Sequence, residues 1–318
     1  MSEPTRPASR PADLYVPTSA DVRAAAARIA PHVRRTPTTR AELGGRAVWL
    51  KLENLQVTGS FKARGAANAL LSFDRVPQAV VAASGGNHAA GVAHAAASVG
   101  AAATVVVPDT VPDEKSQRLE ALGATVVRHG AEYAEAELRA RRLGDELGAP
   151  FVHPFADPAV VAGQGTVGLE LLEDVGDDCD AVLVPVGGGG LIAGVAAACE
   201  GRGVRVVGVE PDGIPTLHHA LAAGRPVHVA VRSVTASALG ARSTAPLNLA
   251  VAQRLVEQVV LVTDQDILAA RDLLWEVCRL AVEPAGAVGL AALLAGVVDA
   301  EAPAVVVSGA NAAWRPLG

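Results

Sequence analysis

Two long stretches of the chain, Ala79 to Pro108 and Ala181 to Cys199, contain no Asp, Glu, Lys or Arg. Length alone would make each a membrane-span candidate. Their contents argue otherwise. The first holds Asn87, His88, His94 and several glycines, and the second carries Pro185 and four consecutive glycines. Each reads as a buried strand, a glycine loop and a helix packed on the sheet. Further apolar runs supply strand candidates at 47–52, 103–107, 125–128, 204–209, 259–262 and 304–307, besides 79–83 and 181–186. Helical patterns over 115–122, 132–147 and 264–280 separate them. Strand–helix alternation of this kind predicts an α/β fold with mainly parallel sheets, whose ligands sit beyond the carboxyl ends of strands.

Composition narrows the function. With 318 residues, 50% hydrophobic and 19% charged, the chain can bury ample apolar surface, which excludes a disordered or fibrous protein. Net charge is −6, and no basic run interleaves with aromatics, so no nucleic acid is expected as partner. Cys179, Cys199 and Cys278 are odd in number and far apart, which suits a reducing cytoplasm better than a disulfide framework or structural zinc. Met1 to Pro17 reads as a polar, proline-rich arm without a signal-peptide core.

Only three of the 27 basic residues are lysines: Lys51, Lys62 and Lys115. Arginine cannot lose a proton near neutrality or condense with an aldehyde, so each surviving lysine is worth asking about. Lys62 follows Thr58-Gly59-Ser60, a tight capping turn, and falls in the first turn of a helix. The positive end of the helix dipole there favours the neutral amine. A solvated lysine at a helix start is the plainer reading.

Three more constellations lie at strand ends. Ser84-Gly-Gly-Asn-His-Ala-Ala-Gly91 offers close backbone approach at Gly85 and Gly86, followed by helix N–H groups suited to a carboxylate. A turn with no ligand explains it equally well, and His88 alone reads as a structural hydrogen-bonder. Gly187-Gly188-Gly189-Gly190, between a strand and a helix, forms an anion cradle whose natural guest is a phosphate. Gly188, Gly190 and Ala193 also satisfy a relaxed dinucleotide fingerprint, with Glu210 about 20 residues on, so an NAD-dependent oxidoreductase competes for this segment. Ser308, in Ser308-Gly-Ala-Asn311, can meet a ligand without bringing a charge. The adjacent His218 and His219, with Glu210 and Asp212 near, have spacing unsuited to a metal site on one helical face.

In order along the chain, TGSFKxRG, SxGNH, the tetraglycine loop and SGxN resemble the fold-type II pyridoxal-phosphate enzymes, above all the serine/threonine dehydratases and the serine racemases related to them. The likeness runs from about Thr36 to Asn311 and includes Val152-His-Pro-Phe, Ala162-Gly-Gln-Gly-Thr and Val282-Glu-Pro-Ala-Gly-Ala. It implies a two-domain fold similar to the tryptophan synthase β chain, with parallel and mixed twisted sheets flanked by helices. Residues 1–72 and 153–318 would form a large cofactor-binding domain, and 73–152 a small domain closing over the substrate.

By the same resemblance, Lys62 holds pyridoxal 5'-phosphate covalently and then moves the substrate's α-proton. Phe61 packs beside the cofactor, Gly187 to Gly190 with Leu191 cradle its phosphate, Asn87 reaches the ring hydroxyl, and Ser308 faces the pyridine nitrogen. Ser84, with the backbone from Gly86 through Asn87 to His88, takes the substrate carboxylate, and Ser84 joins Lys62 as a catalytic residue. The implied activity is an ammonia-lyase that eliminates the hydroxyl of L-threonine or L-serine to give a 2-oxo acid and ammonia. The implied setting is a cytoplasmic homodimer acting on a small amino acid, with no membrane partner. A racemase, a β-replacement enzyme or a catalytically silent cofactor-binding relative are the alternatives within the fold.

Three departures from the family pattern bear on this. Gly85 stands where racemases carry a second serine, so racemisation is expected to be poor. The metal loop keeps Glu210 but has Thr216 for its usual terminal acid, and no metal is assigned. Ala238-Leu239-Gly240 replaces an Ala-Asp-Gly turn, which opens the site to a larger or less polar β-substituent. The chain length leaves no room for the C-terminal regulatory domain of the biosynthetic enzymes, so isoleucine feedback is not expected.

Overall fold

The computed structural model describes residues 15–311, so most of the expected N-terminal arm lies outside the described residues. Two sheets organise the chain. β1 (Thr38–Leu43), β2 (Arg46–Lys51), β6 (Ala181–Pro185), β7 (Arg205–Pro211), β8 (Gln258–Val262) and β9 (Pro303–Val306) form a six-stranded sheet in the order β1-β2-β9-β6-β7-β8. Only β1 is antiparallel to its neighbour. β3 (Ala79–Ala83), β4 (Ala102–Val107) and β5 (Ala124–Arg128) form a three-stranded parallel sheet. Phe151 extends it by a single parallel bridge to Val81.

Around these lie α1 (Ser19–Ile29), α2 (Lys62–Leu71), α3 (Asn87–Ser98), α4 (Asp113–Ala121), α5 (Tyr133–Leu147) and α6 (Pro158–Val175). There follow α7 (Gly190–Cys199), α8 (Thr216–Ala223), α9 (Ala236–Leu239), α10 (Pro246–Leu255), α11 (Asp264–Cys278) and α12 (Pro284–Leu294). The uncharged stretches become β3-α3-β4 and β6-α7. Every residue of β6, α7 and β9 is buried, as expected of strands covered on both faces and of an apolar helix laid on them. Among the described residues no helix is long and apolar enough to cross a membrane. Small residues let helices approach closely: a Cβ on Gly194 of α7 would stand 2.5 Å from the Gly165 nitrogen of α6.

Each strand foreseen from an apolar run is present, with ends shifted by up to two residues. β1 was not foreseen, because Thr-Thr-Arg-Ala-Glu-Leu has no apolar run. It forms because Gly44 (φ +59°) and Gly45 (φ +75°) supply the positive-φ pair of a two-residue hairpin turn. α11 stops at Cys278, short of the expected Leu280, because Arg279 turns left-handed (φ +55°).

Candidate active site

Lys62 opens α2, and the residue before it, Phe61, is the N-cap. The expected capping turn differs from its sequence reading. Neither Thr58 Oγ1 nor Ser60 Oγ finds a partner, and no side chain caps the helix. The turn is held by backbone instead. Gly59 sits at φ +79°, Phe61 N donates to Ser308 O at 3.2 Å, and Ala310 N donates to Gly59 O at 2.9 Å. These bonds tie the Lys62 turn to the segment leaving β9, so Phe61, Lys62 and Ser308 come together. The Lys62 amine donates to Pro154 O at 3.0 Å and lies 5.1 Å from the Phe61 ring centroid. Removal from water brings its pKa down to about 8.

The loop after β3 faces the same region. Ser84 Oγ accepts from Gly86 N at 3.1 Å, and α3 then begins at Asn87 without a side-chain cap. Gly91, one turn on, packs on Lys62 itself, since a Cβ there would meet the Lys62 carbonyl at 2.9 Å. His88 is buried, and Nε2 donates to Val152 O at 2.9 Å, because a carbonyl oxygen can only accept. Its Nδ1 has no partner, and burial beside Lys62 holds its pKa down near 3. His88 is therefore neutral and fixed. A Cβ on Gly85 would lie 2.6 Å from Val111 Cγ2, so the serine of a racemase does not fit there without moving Val111.

The tetraglycine loop leaves β6 and enters α7 with Gly189 at φ +89° and no side-chain cap, which keeps the first N–H groups of α7 free for an anion. Its shape is imposed from outside. Asn248 Nδ2 and Thr244 Oγ1 donate to Gly188 O at 2.7 and 3.1 Å, and a Cβ on Gly190 would meet Phe155 Cβ at 2.9 Å. Ser308 Oγ reaches Ala285 O at 3.3 Å.

Several participants were missed by sequence reasoning. Val152-His-Pro-Phe carried no assigned role, yet Pro154 holds the Lys62 amine and Phe155 walls the glycine loop. His153 Nδ1 accepts from Phe155 N and Ala156 N, and burial lowers its pKa to about 4. Glu283 binds Asn87 and was likewise unassigned. The signal available was that these motifs recur within the resemblance; nothing in their residue types announced it.

Glu210 is fully buried, and its carboxylate receives Leu217 N at 2.8 Å and His218 N at 2.9 Å from the first turn of α8. Both oxygens are thus engaged by backbone N–H groups rather than free for a dinucleotide's ribose. Burial raises its pKa to about 8. Thr216 Oγ1 donates to Ala241 O at 2.8 Å instead of replacing the missing acid.

A partly buried, desolvated amine, a side-chain-free anion cradle at a helix N-terminus and a neutral serine at a strand end suit an enzyme built around a phosphorylated carbonyl cofactor. Residues 29–309 match the family described as "Pyridoxal-phosphate dependent enzyme". The chain belongs to that family. It is similar to the L-threonine ammonia-lyase of Thermotoga maritima, 41% identical over 85% of this chain and 69% of that protein. The counterpart from Geobacter sulfurreducens is 42% identical over 84% and 68%. Among solved structures, maize serine racemase superposes with a TM-score of 0.88 at 35% identity, covering 94% of each chain. The processed form of threonine deaminase isoform 2 from Solanum lycopersicum gives 0.86 at 32% identity, covering 98% of this chain and 96% of that one. The dinucleotide reading of the glycine loop falls with this assignment.

The residues present fit the cofactor. The cradle offers uncapped N–H groups where side chains would intrude, and the desolvated Lys62 amine stands beside it, ready to take the cofactor's carbonyl.

Proposed function

We propose that this protein is a pyridoxal-phosphate-dependent ammonia-lyase acting on a β-hydroxy amino acid such as L-threonine or L-serine. The observation that carries the reading is the partly buried Lys62 amine, beside Pro154 and close to α3, with its pKa brought down to about 8. Gly187 to Gly190 and Leu191 would hold the cofactor phosphate, Phe61 would flank its ring, and Asn87 and Ser308 would face its hydroxyl and nitrogen. When bound, the cofactor supplies the electron sink that lets the α-carbon release its proton. Lys62 takes that proton. The competing bases are disqualified: His88 and His153 are neutral and committed to backbone partners. Ser84 and the N–H groups from Gly86 to His88 orient the substrate carboxylate, using the open start of α3.

We further infer that residues 73–152, which contain the three-stranded sheet, act as a small domain closing over the substrate against the remainder. The same reading takes a cytoplasmic homodimer as its setting, and the unbridged Cys179, Cys199 and Cys278 fit a reducing compartment.

The test is a screen of β-hydroxy amino acids for ammonia and 2-oxo acid release. L-threonine or L-serine should be turned over, and absence of ammonia from both refutes the reading. Because Gly85 offers no acid on the opposite face and Val111 blocks a substitute, D-isomer should form at below about a hundredth of the elimination rate. Comparable D-isomer formation would favour the racemase instead.

Divalent cations are predicted to be dispensable. The carboxylate that would bind one is instead bound by the N-terminus of α8. Activity and melting temperature should be unchanged by prolonged chelation with EDTA. A loss restored by Mg²⁺ or Ca²⁺ would reverse the assignment.

A further inference from the structure

Asn87 is held from two sides. Its Nδ2 donates to Glu283 Oε1 at 2.7 Å, and its Oδ1 accepts from the Asn311 amide. A flipped amide would set its oxygen against a carboxylate and its NH₂ against an NH₂, so only one orientation satisfies both neighbours. Glu283 is itself fixed. It is 6% exposed, occupies the N-cap position of α12 without a side-chain capping bond, and its N–H donates to Gly309 O at 3.1 Å. Gly309 packs directly on its carboxylate, leaving no space for a side chain there. Burial raises the Glu283 pKa, while the Asn87 bond and the charges of Lys115 and Arg118 work against that rise. The Glu283 carboxylate, buried and also held by the Asn311 backbone N–H, is fixed in place to orient the Asn87 amide.

We propose that Glu283 and Asn311 are positioning residues that lock the Asn87 amide in one orientation toward the cofactor-binding space. Building on the proposed function, the lock leaves Asn87 with one N–H and one oxygen lone pair, each in a known place, to meet the cofactor's ring hydroxyl. The Val282-Glu-Pro motif and the C-terminal Asn311 thereby act on the cofactor through a residue of the Ser84–Gly91 loop.

The experiment measures the dissociation constant and absorption maximum of pyridoxal phosphate for the full-length protein and for Asn87→Ala, Glu283→Ala, Glu283→Gln and Asn311→Ala. Glu283→Ala should weaken retention about tenfold and shift the absorption maximum, the scale of losing a charge-assisted bond. Glu283→Gln, which keeps an acceptor for Nδ2, should stay within about threefold of wild type. In the Asn87→Ala background, removing Glu283 should cost less than about twofold more, because its effect passes through Asn87. Full additivity, or an unshifted spectrum in Glu283→Ala, overturns the proposal. If Glu283→Ala fails to fold, Asn311→Ala with and without Asn87→Ala carries the same comparison. Failure of wild type to bind the cofactor at all would refute the proposed function, an outcome distinct from uncoupled variants of a binding protein.

Discussion

Lys62→Ala is expected to lower 2-oxo acid formation by at least about a thousandfold, since it removes both the covalent tether and the proton-moving base. Borohydride treatment followed by mass spectrometry should find the pyridoxyl group on residue 62 of the wild type and none on the variant. Lys62→Arg should be as inactive, because a guanidinium neither gives up a proton nor condenses with the aldehyde. The pH dependence carries a second signature. A solvated lysine at pH 8 is only roughly one part in 250 free base, whereas the Lys62 amine, brought down to about 8 by burial, is about half free. Reloading of cofactor-stripped protein should therefore accelerate as pH rises through about 8 and level off above it. A rate still climbing past pH 10 would mean that the amine is solvated. A covalent adduct surviving in Lys62→Ala would remove the residue from its assigned role.

What was legible in the sequence follows from how locally each feature is encoded. β6 and β9 declare themselves because a strand buried on both faces must be apolar along its whole length. Lys62, Asn87 and the glycine loop were legible because their motifs have distinctive residue types, although the Lys62 turn is held by the segment after β9 and the glycine loop by Thr244, Asn248 and Phe155. The polar strand β1 was hidden because its place at the sheet edge rests on a turn and on pairing with β2, not on its own hydrophobicity. The contributors supplied from afar were hidden for the same reason. Pro154 is 92 residues from Lys62, and Glu283 is 196 from Asn87. A proline carbonyl has no residue-type signature, and a glutamate in an apolar motif has many uses. Arg64 was read only as a letter in a motif, although it is among the largest fully buried side chains.

That arginine leads to the largest expected stability effect. Arg64 lies two residues beyond Lys62 on α2 and is 0% exposed. Its Nε and Nη2 grip the two oxygens of Glu53 at 2.8 Å each, while Nη1 and Nη2 reach Glu170 at 2.6 and 2.8 Å. Lys51, equally buried, donates to Glu170 at 2.8 Å and to Thr36 O at 2.7 Å. The cluster joins β2, α2 and α6 beside the catalytic turn, so the planar fork of Arg64 anchors the first turn of α2, which carries Lys62. Arg64→Leu would leave Glu53 buried with its main counter-charge gone, at a cost of about 3–5 kcal/mol. Arg64→Lys should recover only part of this, because an ammonium cannot hold two carboxylates in the geometry of a guanidinium. The decisive variant is Arg64→Leu with Glu53→Leu. It deletes the orphaned charge together with its partner, leaving Glu170 paired with Lys51, and should be more stable than Arg64→Leu alone. Urea unfolding of Arg64→Leu, Glu53→Leu, Arg64→Lys and the double variant measures this, and a double variant that loses the sum of the Arg64→Leu and Glu53→Leu losses would show that the ion pair holds the fold by packing rather than by charge.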